Sequence, residues 1–186
     1  MTTTVATTDG IAPALRRLYF ARFGFAAAWA ALLFATKSDL GPVSVPLLVL
    51  YPLFDVAAAV VDARSSRATG QARGLLAVNI AISLLAAVGV AVACAGGVPD
   101  VLRVWGAWAI ASGLVQLVVG VGRRQVGGQW PMILSGGLSV LAGATFIASA
   151  AAPNPSLASL AGYALVGGVF FLVSALRLGR ATAQDS

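Results

Sequence analysis

The sequence predicts an all-α protein that crosses a membrane six times as three repeated helical hairpins. Of its 186 residues, 59% are hydrophobic and only 10% are charged, against about 45–50% and about 25% in an average soluble domain. So little charge cannot cover a water-exposed surface, and so apolar a chain is not disordered. The chain also contains a series of apolar stretches of about 20 residues, the length that a helix needs to cross roughly 30 Å of hydrocarbon.

Six such stretches follow one another, with helix-breaking or charged segments between them. Residues 37–42, 96–100 and 153–155 contain the Gly, Pro, Asp and Asn residues that end helices and form turns. Residues 62–73 and 123–129 are polar and basic. The predicted spans are residues 18–36, 43–61, 74–95, 101–121, 130–150 and 156–178.

The positions of the basic residues predict the orientation of these spans. Lys37 and Arg103 fall on one side, and the other ten basic residues fall on the opposite side. Cytoplasmic loops carry the excess of Lys and Arg, so both termini are predicted to be cytoplasmic. The ten are Arg16, Arg17, Arg22, Arg64, Arg67, Arg73, Arg123, Arg124, Arg177 and Arg180.

The predicted organisation is a flexible cytoplasmic arm over residues 1–17, a membrane domain over 18–178 and a cytoplasmic tail over 179–186. Arg16 and Arg17 before an apolar run also match the pattern of an export signal. We interpret the run as an uncleaved first span, because it is longer than the apolar part of such a signal.

The residue types present exclude several kinds of site. The chain has no His and no Glu, and Cys94 is its single cysteine. An intramolecular disulfide is therefore impossible, and we predict no metal and no cofactor, since imidazole ligands for zinc or haem are missing. We interpret Cys94 as a small buried hydrophobic residue. The basic residues lie in short loops, so they are predicted to set topology and not to bind nucleic acid.

An internal repeat with a period near 57 residues relates the three hairpins. Trp108 and the residues after it in the fourth span align with Tyr163 and its followers in the sixth, and Ser83 in the third aligns with Ser139 in the fifth. In the same alignment, Arg22, Asn79 and Ser135 occupy one equivalent position of the three outward-running spans. Asp55, Gln116 and Phe171 occupy one equivalent position of the three inward-running spans.

Glycine and tryptophan positions predict how the helices pack. Gly106, Gly113 and Gly120 recur every seven residues and therefore share one helix face, where close backbone approach would supply packing that lipid cannot. Trp29, Trp105, Trp108 and Trp130 are interpreted as interface or packing residues. Trp105 and Trp130 lie near predicted span ends, which is typical of residues at the membrane interface.

Six spans in three hairpins, with glycine-rich segments at residues 106–113 and 136–143, resemble the HdeD-like short-repeat membrane proteins of bacteria. The resemblance covers residues 18–178. It implies a six-helix protein of the inner membrane with a role in envelope or acid stress, and it supplies no catalytic residues. It also leaves open whether such a protein acts by self-assembly or through a membrane partner.

Four polar side chains inside the spans fall at one predicted depth. Arg22 and Asn79 lie six residues beyond a basic residue that precedes their outward-running spans, and Asp55 and Gln116 lie seven residues before a charged residue that ends their inward-running spans. At about 1.5 Å per residue, all four lie roughly 9–11 Å inside the cytoplasmic boundary. Ionisable residues at such depth are costly, which makes this layer the candidate functional site.

The layer predicts a buried ion pair between Arg22 and Asp55. A carboxylate without a partner in lipid is neutralised or expelled, and a guanidinium on the adjacent span can bind it bidentately. Asn79 and Gln116 are expected to complete the hydrogen bonding. Three interpretations stay open: the pair fixes helix register, Arg22 instead extends to the headgroups, or the layer conducts protons or solutes.

Three functions remain compatible with the sequence. The first is a non-enzymatic membrane protein of the HdeD-like type, whose partners are the lipid bilayer and either a second copy or another membrane protein. The second is a small transporter or a proton or ion channel that uses Asp55 and Arg22. The third, an enzyme acting on lipid, is least favoured because the chain lacks His, Glu and paired carboxylates at one site.

Overall fold

The computed structural model describes residues 11–36, 40–65, 70–122 and 130–184. These residues form six α-helices, and no strand occurs among them. The six helices are α1 (Ile11–Ala35), α2 (Ser44–Ser65), α3 (Gly70–Ala93), α4 (Val98–Gly122), α5 (Trp130–Ser149) and α6 (Ala158–Gln184).

Five of the helices, α1 to α4 and α6, are long and apolar enough to cross a membrane. In α5, the stretch whose side chains the structure describes continuously, Ile133–Ser149, is also apolar but shorter. Even so, α5 lies antiparallel to α4 along its length, because Gly113 faces Gly136 and Gly106 faces Gly143. The prediction of an all-α polytopic membrane protein is confirmed.

Each helix packs against its neighbours in chain order, and α6 closes the arrangement by packing against α1. The most extensive contacts are those of α4 with α5, α1 with α6, and α2 with α3, whereas α5 and α6 touch only sparsely. The strongest interfaces therefore lie between hairpins and not within them, and the α5–α6 hairpin is the most open.

Glycines form the closest of these interfaces, between α4 and α5. A methyl group added to Gly113 would lie 2.6 Å from the carbonyl oxygen of Gly136, and one added to Gly106 would lie 2.6 Å from that of Gly143. The two contacts are one heptad apart, as the glycine spacing on α4 predicted. Only residues without a Cβ allow the backbones to approach this closely. The surroundings of Gly120, the third member of the predicted series, lie outside what the structure describes.

The first and last helices extend well beyond the predicted boundaries. α1 begins at Ile11 and α6 continues to Gln184, so residues 11–17 of the predicted arm and 179–184 of the predicted tail are helical. Pro13 is compatible with this start, because a residue in the first helical turn needs no N–H donor. The rest of the arm and tail, residues 1–10 and 185–186, lies outside the described residues.

The connection between α3 and α4 is shorter than predicted. Gly97 adopts a φ of 99°, which a residue without a Cβ tolerates, and α4 begins at the next residue. Pro99 and Asp100 thus belong to the first turn of α4, where Pro lacks only an N–H that would be unpaired and Asp interacts favourably with the helix dipole.

Candidate functional site

Asp55 on α2 and Arg22 on α1 form an ion pair inside the bundle. Arg22 Nη2 donates a hydrogen bond of 2.6 Å to Asp55 Oδ1, and the two side chains are 18% and 25% exposed. α1 and α2 are antiparallel neighbours, so residues equally far from the connecting turn come level with each other. The contact is made through one guanidinium nitrogen and one carboxylate oxygen, and differs from the bidentate geometry expected from the sequence.

The second carboxylate oxygen explains this difference. Asp55 Oδ2 accepts hydrogen bonds of 2.9 Å from Asn79 Nδ2 and from Ser83 Oγ, both on α3. Residues four apart share a helix face, so Asn79 and Ser83 present two donors to one acceptor. We call Arg22, Asp55, Asn79 and Ser83 the Asp55 cluster. Sequence reasoning missed Ser83 as a member, although its spacing from Asn79 was the available signal.

Two aromatic side chains from other helices extend the cluster. Trp108 Nε1 on α4 donates a 3.2 Å hydrogen bond to Ser83 Oγ. On the opposite side, the Arg22 guanidinium carbon lies 4.7 Å from the centroid of the Phe171 ring on α6, which is a cation–π contact. The cluster thus joins α1, α2 and α3 directly and reaches α4 and α6 through these rings.

Gln116, the fourth predicted member, does not join these hydrogen bonds. Its buried Oε1 has no partner among the described residues, and the same holds for Ser112 Oγ and Trp105 Nε1. These three residues share one face of α4 because they are seven and four residues apart. The structure differs from the prediction here, since α4 reaches the cluster through Trp108.

Four aromatic residues fill the centre of the bundle next to the cluster, on the side nearer the α1–α2 turn. We call Trp29, Tyr51, Trp105 and Trp108 the aromatic layer. Ring centroids lie 5.4 Å apart for Trp29 and Trp105, 5.4 Å for Tyr51 and Trp105, and 5.0 Å for Trp105 and Trp108. Trp29 Nε1 also donates a 2.6 Å hydrogen bond to the carbonyl oxygen of Leu47.

The two tryptophans near predicted span ends have different environments. Trp105 is 0% exposed and belongs to the core, so of the two interpretations packing is the correct one. It lies two turns into α4, because the helix starts earlier than predicted. Trp130 is 72% exposed at the start of α5.

Charged and metal-binding chemistry is sparse elsewhere. Asp100 and Arg103 form an ion pair on the surface of α4, with side chains 46% and 54% exposed. Within the described ranges, no group of three or more His, Cys, Asp or Glu residues could hold a metal ion. The Asp55 cluster is therefore the candidate functional site.

No protein-family model matches the chain, and no curated protein or solved structure matches it. The class follows from the fold and the site: the chain is an all-α polytopic membrane protein with an ion-paired carboxylate between its helices.

Proposed function

We propose that the chain is a non-enzymatic integral membrane protein of the HdeD-like type, in which the Asp55 cluster holds the helices in register. The carrying observation is that both oxygens of Asp55 are engaged, by Arg22, Asn79 and Ser83. These bonds use three of the roughly four acceptor positions of a carboxylate. Such a carboxylate specifies the arrangement of its neighbours and has little capacity left for a solute.

The aromatic layer supports a closed bundle. Trp29 is 1% exposed and Trp105 is 0% exposed, and their rings stack across the centre from α1 and α4. This packing opposes a permanently open pore along the bundle axis. A protein of this kind acts through its surface, by assembling with a second copy or with another membrane protein.

Three repeated hairpins are part of the proposal. Ser83 with Trp108 and Ser139 with Tyr163 are aligned pairs of the second and third hairpins, and each pair is hydrogen-bonded. A second set of aligned pairs lies at two interfaces between hairpins. Asp55 contacts Asn79 between α2 and α3, and Phe171 contacts Arg22 between α6 and α1. Equivalent contacts at equivalent positions favour an internal repeat over chance similarity of apolar helices.

The proposed location is the bacterial inner membrane, with six spans and both termini in the cytoplasm. The support is the distribution of charge, ten basic residues against two on opposite sides of the helices. The role in envelope or acid stress comes from the resemblance.

Cys94, just beyond α3, tests this orientation. We expect a membrane-impermeant maleimide to label Cys94 in intact cells, because the proposal puts it on the outer face. Burial raises the pKa of the Cys94 thiol, and the thiolate is the reactive form, so labelling should be slow at neutral pH and accelerate as the pH rises. A matched control is Ala63→Cys in a Cys94→Ala background, which should react only after permeabilisation. Labelling of Ala63→Cys in intact cells, with Cys94 labelled only after permeabilisation, would show that the orientation is the opposite one.

Transport through the same layer is the second candidate function. It is favoured by the unpaired buried oxygens of Ser112 and Gln116 on the α4 face that carries Trp105, because buried polar groups within membrane spans are typical of proton and solute paths. In liposomes with a trapped pH dye, our first proposal predicts no proton flux above protein-free vesicles, for both the wild type and Asp55→Asn. A proton flux that the wild type supports and Asp55→Asn abolishes would contradict the first proposal and favour transport.

A further inference from the structure

The α5–α6 hairpin encloses a groove of about 320 Å³. One face of α5, from Ser135 to Phe146, forms one wall, and one face of α6, from Ser159 to Phe170, forms the other. Eleven residues of helix extend about 16 Å, so the groove runs along about half of the hydrocarbon thickness of a bilayer.

Glycines on α6 create this space. A methyl group added to Gly162 or Gly167, which line the groove, would meet no atom within 4 Å. One added to Gly168, which faces α1, would lie 3.1 Å from the Cβ of Ala26. The same helix is therefore closely packed against α1 and open toward α5.

Five hydroxyl side chains interrupt the mainly apolar lining, and two of them, Ser139 and Tyr163, form a pair across the groove. Ser139 Oγ and Tyr163 OH lie 2.8 Å apart on facing walls, and Ser139 is 6% exposed. Two hydroxyls carry two protons, and the bond between them uses one. The other O–H can donate to an acceptor in the groove, where a low dielectric strengthens such a bond.

The chemistry of the lining selects a neutral ligand with a deeply placed acceptor. None of the side chains that line the groove is charged. Ser139 lies nine residues after the start of α5, about 14 Å along the helix, which is deeper than the ester groups of phospholipids at the membrane interface. Leu138 and Val166, 45% and 51% exposed, form the rim and give lateral access from the apolar phase.

We propose that this groove binds a neutral, membrane-soluble molecule that carries a ketone- or quinone-type carbonyl. The carbonyl oxygen accepts a hydrogen bond from the Ser139–Tyr163 pair, and the apolar part lies along Leu138, Val166 and Phe170. The volume and the combination of mainly apolar walls with a few polar groups are typical of small-molecule sites between helices. The site is independent of the Asp55 cluster and of the function proposed for it.

The experiment measures binding of 2-methyl-1,4-naphthoquinone to the purified full chain in detergent, with 2-methylnaphthalene as the ligand without carbonyls. We expect the double variant Ser139→Ala/Tyr163→Phe, which removes both hydroxyls, to weaken quinone binding about tenfold, the loss of one hydrogen bond, and to leave naphthalene binding unchanged. Gly167→Leu should fill the groove and abolish binding of both ligands. If Gly167→Leu does not fold, Gly162→Leu fills the groove from the other lining glycine. Gly137→Leu, at an open position of α5 outside the lining, should bind like the wild type.

Two results would overturn the proposal. Equal quinone binding by the wild type and by the folded filled-groove variants would put the ligand elsewhere. Unchanged quinone binding by Ser139→Ala/Tyr163→Phe would show that the pair makes no hydrogen bond to the carbonyl. Native mass spectrometry of the purified protein tests whether a phospholipid occupies the groove. A phospholipid that is retained by the wild type, lost from Gly167→Leu and not displaced by the quinone would make lipid the occupant instead.

Discussion

Replacing Asp55 with leucine is expected to lower the free energy of unfolding by about 3–5 kcal/mol, because it leaves the partly buried Arg22 guanidinium without its carboxylate partner. The same change removes the acceptor of Asn79 and Ser83, and donors deprived of a partner add to the cost. Equilibrium unfolding of the purified protein in mixed micelles measures the difference.

The double variant Arg22→Met/Asp55→Leu tests whether the loss of stability comes from the unpaired charge. Replacing both members by apolar side chains of similar size removes the unpaired charge, so we expect it to recover most of the lost stability. Arg103→Met is the matched control, since it breaks an exposed ion pair with Asp100 and should change stability by about 0–1 kcal/mol. An Asp55→Leu variant as stable as Arg103→Met would show that the cluster does not hold the helices together.

The second large effect is expected at the α4–α5 interface. A methyl group at position 136 would lie 2.7 Å from the carbonyl oxygen of Gly113 and 3.0 Å from the backbone nitrogen of Leu117. Backbone atoms cannot rotate away as a side chain would, so the helices must separate. We expect Gly136→Ala to destabilise the protein by about 1–3 kcal/mol, the usual cost of overpacking.

The neighbouring glycine supplies the control for this experiment. A methyl group on Gly137 meets no atom within 4 Å, so Gly137→Ala should leave stability unchanged or raise it by up to about 1 kcal/mol through its higher helix propensity. Both variants make the same chemical change on adjacent residues of α5, and thermal unfolding in one detergent compares them directly. Equal effects of the two variants would mean that close backbone contact does not stabilise this interface.

The sequence was sufficient for the class, the approximate spans and much of the polar site. Helices in a membrane must be long, apolar and separated by breakers, so composition and spacing alone predict them. Arg22, Asp55 and Asn79 were identified because polar residues are so rare in apolar spans, and counting 1.5 Å per residue brought them to one depth. Gly106 and Gly113 were predictable because a spacing of seven keeps residues on one face.

The sequence could not determine which faces meet. Gln116 was predicted to lie at the depth of Asp55, yet α4 presents Trp108, about two turns away, to Ser83 instead, because the position of a helix relative to its neighbours depends on all of their contacts. The burial of Trp105 and the start of α4 at Val98 have the same origin. The groove between α5 and α6 likewise could not be predicted, since Gly162 and Gly167 look no different in sequence from the closely packed Gly168.

Length, hydropathy and the spacing of polar residues are properties along one chain, and they determined the helices and the depth of their polar groups. Partner choice is a property of two surfaces: whether a small residue forms a tight contact or an opening depends on what the facing helix brings to the same level. For this reason only the tertiary structure decided that Asp55 shares its oxygens among three donors, and that α5 is closely packed on α4 but separated from α6.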